Sequence, residues 1–122
     1  MYEYSARLVR IVDADTLILD IDLGMHTWLH GQRIRAAGLN APELATDAGR
    51  AALAWVRDWF TQHAPVGIIT VRTEKDRNDN YGRLLGTILA PDGACLNTDM
   101  LAAGQALPWP RPAAEVKETT GA

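Results

Sequence analysis

The chain has 122 residues, 48% of them apolar, enough to fill one core and too few for a multidomain machine. It has no run of about 18 apolar residues and no charged-then-apolar export pattern in its opening residues, and its one cysteine, Cys95, excludes an internal disulfide and every multi-cysteine metal site, so a cytoplasmic protein with no membrane contact is expected. Twelve basic against 15 acidic residues leave a net charge of -3, which excludes coating nucleic acid by bulk charge; any phosphate binding must be local, and ten of the twelve are arginines, whose planar fork grips phosphate bidentately.

From Tyr4 to Asp22 two β-rich runs meet at Asp13-Ala14-Asp15, a hairpin pattern in which Leu17, Leu19 and Ile21 alternate with outward positions. Leu23-Gly24 turns the chain. A third strand is expected from Trp28 to Leu39, with Ile34 and Ala36 on one face and Arg33 and Arg35 on the other. Asn40-Ala41-Pro42-Glu43 stops it, because proline lacks an amide hydrogen and holds its predecessor extended. Ala48, Ala51, Ala52, Trp55, Val56, Trp59 and Phe60 then recur at helical spacing, with Arg50, Arg57, Asp58 and Thr61 opposite. The spacing predicts an amphipathic helix from Asp47 to His63, capped by Thr46 or Asp47, whose aromatic stripe faces the core.

Gly67 to Thr73 reads as a fourth strand and Arg83 to Leu89 as a fifth, across a charged loop from Glu74 to Gly82. Asn97 is expected to cap a short helix that ends at Gly104. Pro108, Pro110 and Pro112 break regular structure, so residues 1–107 read as one domain and 108–122 as a solvated tail. The fold class is α+β, mainly β: a single five-stranded OB-fold barrel, with one long amphipathic helix after strand 3 and a short helix after strand 5.

Four clusters fall at strand ends or in loops, where ligands are usually met: Asp13 to Thr16, Arg33 to Arg35, Asn40 to Glu43, and Asp79 to Arg83. Taken singly, each has an ordinary structural explanation, as a hydrogen-bonded turn, a solvated strand face or a strand start. No His-Glu-x-x-His spacing exists, so His26, His30 and His63 read as structural residues and not as zinc ligands.

Together the clusters resemble the thermonuclease, or staphylococcal nuclease-like, family from about Ala6 to Ala106. The Asp-Gly-Asp-Thr turn of that family looks like Asp13-Ala14-Asp15-Thr16, its Arg-(x)4-Asp-x-Pro-Glu segment looks like Arg35 to Glu43, and its Asp-x-Tyr-Gly-Arg looks like Asp79 to Arg83. Its Val-Asn-x-x-Leu-Val-x-x-Gly-x-Ala helix is similar to Leu96 to Ala106. The resemblance implies a nuclease that hydrolyses DNA or RNA with little sequence preference and leaves 3′-phosphate ends. It implies one calcium ion, held by Asp15, the Asn40 side chain and the Ala41 carbonyl, with Arg35, Glu43 and Arg83 as catalytic residues around the scissile phosphate. Calcium takes a flexible shell of carboxylate, carbonyl and water oxygens, which suits such a set. Two guanidinium groups aimed at phosphoryl oxygens stabilise the charge that develops there, and a carboxylate such as Glu43 can take a proton from water. By the same resemblance Tyr81 bonds a substrate phosphate. Trp109 either stacks on a base or seals the barrel.

This chain departs from the family pattern in several places. Asn40 stands where a second metal-binding aspartate is usual, which removes a formal charge and weakens metal binding. Ala14 replaces a glycine in the first turn, the loop after Glu43 is short, and the family's final helix has no counterpart. A monomer acting on nucleic acid is expected. The rivals are a catalytically inactive nucleic-acid-binding barrel, against which the presence of Arg35, Glu43 and Arg83 together counts, and a phage or plasmid accessory protein that binds a protein partner.

Overall fold

A computed structural model describes residues 2–75 and 84–109. Strand β1 (Tyr2–Asp13) turns at Ala14 and Asp15 into β2 (Thr16–Gly24), and the two pair antiparallel from Ala6–Ile21 to Asp13–Thr16. The alternation seen in the sequence has its physical cause here, since Leu17, Leu19 and Ile21 all point into the core and are at most 2% exposed. Ala14 is buried as well, and it is absent from the non-glycine residues with positive φ, so this tight turn forms without the freedom of a glycine. Gly24, Met25 and His26 all have positive φ and make the next turn into β3 (Thr27–Ala36).

The third strand is shorter than the sequence suggested. After Ala36 the chain turns at Ala37 and Gly38 and resumes as the two-residue strand β4 (Leu39–Asn40). Helix α1 runs Asp47–His63, as its periodicity predicts; its N-cap is Thr46, whose hydroxyl oxygen accepts from the Gly49 amide at 3.0 Å. Its buried face is rotated from the expected one. Gly49, Ala52, Val56, Trp59 and Phe60 are buried, whereas Ala48 and Ala51 are exposed and Trp55 is half-buried. The cause is the incoming loop, which lies against Gly49 so closely that a Cβ there would sit 1.8 Å from the Glu43 carbonyl oxygen.

Strands β5 (Ile68–Lys75) and β6 (Leu84–Leu89) close the barrel in the order β1-β2-β3-β6-β5, with β5 returning to β1. The β3–β6 seam is parallel, through Ile34–Leu84, Arg35–Leu85 and Ala36–Gly86. Helix α2 (Leu96–Ala102) starts after Cys95, which is its N-cap, and Asn97 does not cap it. Asn97 is instead buried beneath the seam, where its Oδ1 accepts from the Ile88 amide at 2.9 Å and its Nδ2 donates to the carbonyls of Ala37 (2.9 Å) and Gly86 (3.0 Å). A buried amide with its hydrogen bonds satisfied ties both sides of the seam to α2. Gly104, with φ 72°, ends the helix as expected. Pro108 does not break regular structure: it pairs with Leu39 in strand β7 (Leu107–Pro108), beside Asn40–Leu107, because a two-residue edge pairing does not need every amide. The rest of the expected tail, with Pro110 and Pro112, lies outside the described residues.

Candidate active site

The turn between β1 and β2, the end of β3 and the segment from β4 to Pro42 converge on one carboxylate, that of Asp15, which is 9% exposed. The Asp15 Oδ1 accepts from the Thr16 hydroxyl at 3.2 Å, and Oδ2 accepts from the Ala41 amide at 3.1 Å and from Arg35 Nη1 at 3.4 Å. The other end of the Arg35 guanidinium, Nη2, donates to Asn40 Oδ1 at 2.8 Å and to the Leu39 carbonyl at 3.4 Å. One planar fork thus spans two of the residues that the resemblance assigns to a metal, and the third, Ala41, meets Asp15 directly. Arg35 lies on β3 with its side chain 14% exposed, so its geometry is set by the barrel.

Burial alone would raise the Asp15 pKa. The hydrogen bond from Asp13, the Ala41 amide, the Arg35 charge and the Thr16 hydroxyl together outweigh burial and hold the carboxyl below its usual value. Asp13 goes the other way. Burial, a hydrogen bond to Asp15 and repulsion from its charge push Asp13 up to about 6. Two acids in one turn therefore divide the work, Asp15 staying ionised while Asp13 holds a proton more readily. Asp13 was legible in the sequence only as part of the turn, and its coupling to Asp15 depends on the burial that folding supplies.

Asp15 and Asn40 offer the hard oxygen donors that calcium takes, with one ionised carboxylate among them, so the donor type fits. Asn40 Oδ1 is already engaged by Arg35, and the Ala41 atom that meets Asp15 is its amide. Among the described residues no group of three or more His, Cys, Asp and Glu gathers anywhere. Glu43 is exposed at the start of the loop into α1, and its carbonyl accepts from the Thr46 amide at 3.0 Å and the Thr46 hydroxyl at 2.6 Å. Among the described residues its carboxylate makes no hydrogen bond to Asp15, Arg35 or Asn40. Arg83 and Tyr81 lie outside the described residues.

A cleft of about 250 Å³ adjoins this centre, lined by Asn40, Ala41, Pro42 and residues 104–107. Trp109, two residues past Leu107, is 52% exposed, so its ring does not seal the barrel, and its amide donates to the Gly38 carbonyl at 2.9 Å. A larger groove, of about 400 Å³, runs between α1 and α2 past Trp55, Trp59, His63 and Asp99. It shares no residue with the candidate site.

The family model described as staphylococcal nuclease homologue matches residues 33–119, a range that includes Arg35, Asn40, Ala41 and Glu43 but not Asp15. The chain is 36% identical over 105 residues to an uncharacterized endonuclease of Escherichia coli O157:H7, across 85% of this chain and 60% of that protein, and equally to one of Escherichia coli. It is 30% identical over 112 residues to Endonuclease YhcR of Bacillus subtilis (strain 168), across 85% of this chain and 9% of that protein. The chain thus spans 60% of the length of the Escherichia coli relatives.

Proposed function

The chain belongs to the staphylococcal nuclease homologue family, and on that footing we propose that it is a calcium-dependent nuclease that hydrolyses phosphodiester bonds of DNA or RNA with little sequence preference. The observation that carries this reading is the Arg35 guanidinium held between Asp15 and Asn40, with Ala41 hydrogen-bonded to the same carboxylate. The relatives, all named as endonucleases, support it.

In this reading Asp15, the Asn40 side chain and the Ala41 carbonyl would hold the ion. Bound there, the ion would supply Lewis acidity toward the scissile phosphate. Arg35 meets the negative charge that grows on the phosphoryl oxygens; because β3 and its two partners fix the guanidinium beforehand, little reorganisation is needed in the transition state. Arg83 supplies a second guanidinium. Glu43 takes a proton from the attacking water or orients it, and its backbone is steadied for that by Thr46 at the head of α1. Tyr81 and Trp109 contact the substrate.

Digestion of labelled DNA and RNA with calcium, with magnesium and with chelator tests the reading. Cleavage in calcium, weak cleavage in magnesium, whose shell demands near-octahedral geometry, and none in chelator are expected. Full cleavage in chelator would remove the ion from the reading. Binding without cleavage under all three conditions would make the chain an inactive binding barrel, the alternative favoured by Asn40 where a second carboxylate is usual.

A further inference from the structure

The outer face of the first three strands carries a group of planar and cationic side chains that the candidate site does not use. The Arg7 guanidinium lies over the Trp28 ring, 5.2 Å from its centroid, and the His30 ring lies nearly parallel to Trp28, at 9° and 6.4 Å between centroids. His30 is exposed and its Nδ1 sits 3.2 Å from Asp20 Oδ2. The strand register sets Arg10, Ile18 and Arg33 side by side in one rung, Arg7 beside Asp20 in the next, and Trp28 opposite Asp22 beyond that. Arg7, Arg10 and Arg33 are all exposed. Three acids on this face are engaged locally: Asp20 with His30 and the Gly31 amide, Asp22 with the Gly24 amide, and Glu3 with Arg72.

We propose that this face is a track for a single nucleic-acid strand leading away from Arg35, with bases stacking on the Arg7–Trp28–His30 platform and phosphates meeting Arg10 and Arg33. The proposal rests on the reading of nucleic acid as the substrate. Three observations select this occupant. Flat rings and a guanidinium plane are the surfaces on which unpaired bases stack, whatever their sequence. The three arginines are spaced along the strands, which suits a chain of phosphates better than a single anion. Arg35 lies on the same strand as Trp28, seven residues on and roughly 23 Å away at about 3.3 Å per residue, so a strand held at Arg35 runs directly onto the platform. That span is within the stretch of about 4–16 nucleotides that a barrel of this kind engages.

The test is equilibrium binding, in calcium, of cleavage-resistant phosphorothioate oligo(dT) and oligo(U) of about 3 and about 20 nucleotides, chosen to fall below and above that stretch. Trp28→Ala should weaken the long strand about 10-fold, the worth of one stacked base, and leave the short one unchanged. Arg7→Ala should act in the same direction, and Trp28→Phe, which keeps a ring, should bind like the parent and show that the fold is not at issue. A long strand with abasic sites should bind the parent no better than it binds Trp28→Ala. Unchanged affinity for the long strand in both Trp28→Ala and Arg7→Ala overturns the track while leaving the nuclease reading intact, and frees this face for a protein partner or a second copy. Equal losses for short and long strands also overturn it. A parent that binds neither length fails the nuclease reading itself, and the track with it.

Discussion

Arg35 and Asn40 are joined side chain to side chain, Nη2 to Oδ1 at 2.8 Å, while the same guanidinium reaches Asp15 with its other nitrogen at 3.4 Å. One cation therefore holds together the turn after β1, the strand β3 and the strand β4. Removing it should do two things. Arg35→Ala should lower the proposed cleavage by about 100-fold or more, the scale of losing a preorganised donor to the transition state. It should also cost about 1–3 kcal/mol of stability, because Asp15 is left buried with one donor fewer. Single-turnover cleavage and urea denaturation separate the two effects. Parent-like cleavage would return Arg35 to the role of a structural brace.

Asn40→Asp restores a carboxylate beside Asp15. Calcium affinity measured by titration calorimetry should rise, since a second negative charge close to the ion is favourable. An unchanged or lower affinity would show that Asn40 serves Arg35 alone.

Gly49→Ala tests how the loop carrying Glu43 is set. A Cβ at this position would meet the Glu43 carbonyl oxygen at 1.8 Å and its carbon at 2.5 Å, both backbone atoms, so the loop must shift. Loss of about 1–3 kcal/mol in denaturant unfolding is expected, the range for overpacking, together with reduced cleavage. Parent-like cleavage in a stably folded variant would mean that the position of Glu43 is not critical to the chemistry. Glu43→Gln then isolates the carboxylate, and should lower turnover while sparing oligonucleotide binding.

The bounds of α1 were legible because helical periodicity and the Thr46 cap are both properties of neighbouring residues. The five-stranded barrel was legible from five strand runs and the position of the long helix between them, and its closure came with the structure. What escaped depends on distant partners. Strand β4 exists only because Leu107 and Pro108 come back to it, and Asn97 looks like a helix cap until the β3–β6 seam closes over it. Trp28 and His30 share the parity of Ile34 and Ala36, so simple alternation would turn them inward. The register shift between the Leu19–Gln32 and Ile21–Leu29 pairs turns them out. The gathering of Asp15, Arg35 and Asn40 came from family resemblance, and spacing alone left each with an ordinary explanation.

Asn97→Leu removes three hydrogen bonds beneath the seam and leaves the Ile88 amide and the carbonyls of Ala37 and Gly86 without that partner. A loss of about 2–4 kcal/mol in urea unfolding is expected, from buried polar groups left unsatisfied. A loss below about 0.5 kcal/mol, the usual size for a surface substitution, would show that the seam holds without this brace.

Asp92 gives a pH signature remote from the candidate site. Its hydrogen bond with His63, at 2.6 Å, and the Ala94 amide hold its carboxyl below the ordinary value of 3.8. As acid is added the unfolded chain therefore takes up this proton before the folded one does. The stabilisation is whole well above pH 3.8 and is lost as pH falls through the lowered folded value. Asp92→Asn should thus melt lower than the parent at about pH 6, and the difference should vanish near about pH 2. A gap that persists in acid would mean that the asparagine disturbs the turn for reasons unrelated to charge.

The amide of Trp109 is bonded to the carbonyl of Gly38, two residues ahead of Asn40. A dye or tether attached at Trp109 would sit close to the turn that leads into β4, beside the candidate site. The same location makes position 109 a favourable one for an optical reporter, because its backbone amide is tied to the Gly38 carbonyl and would follow movement of the segment that leads to Asn40 and Ala41.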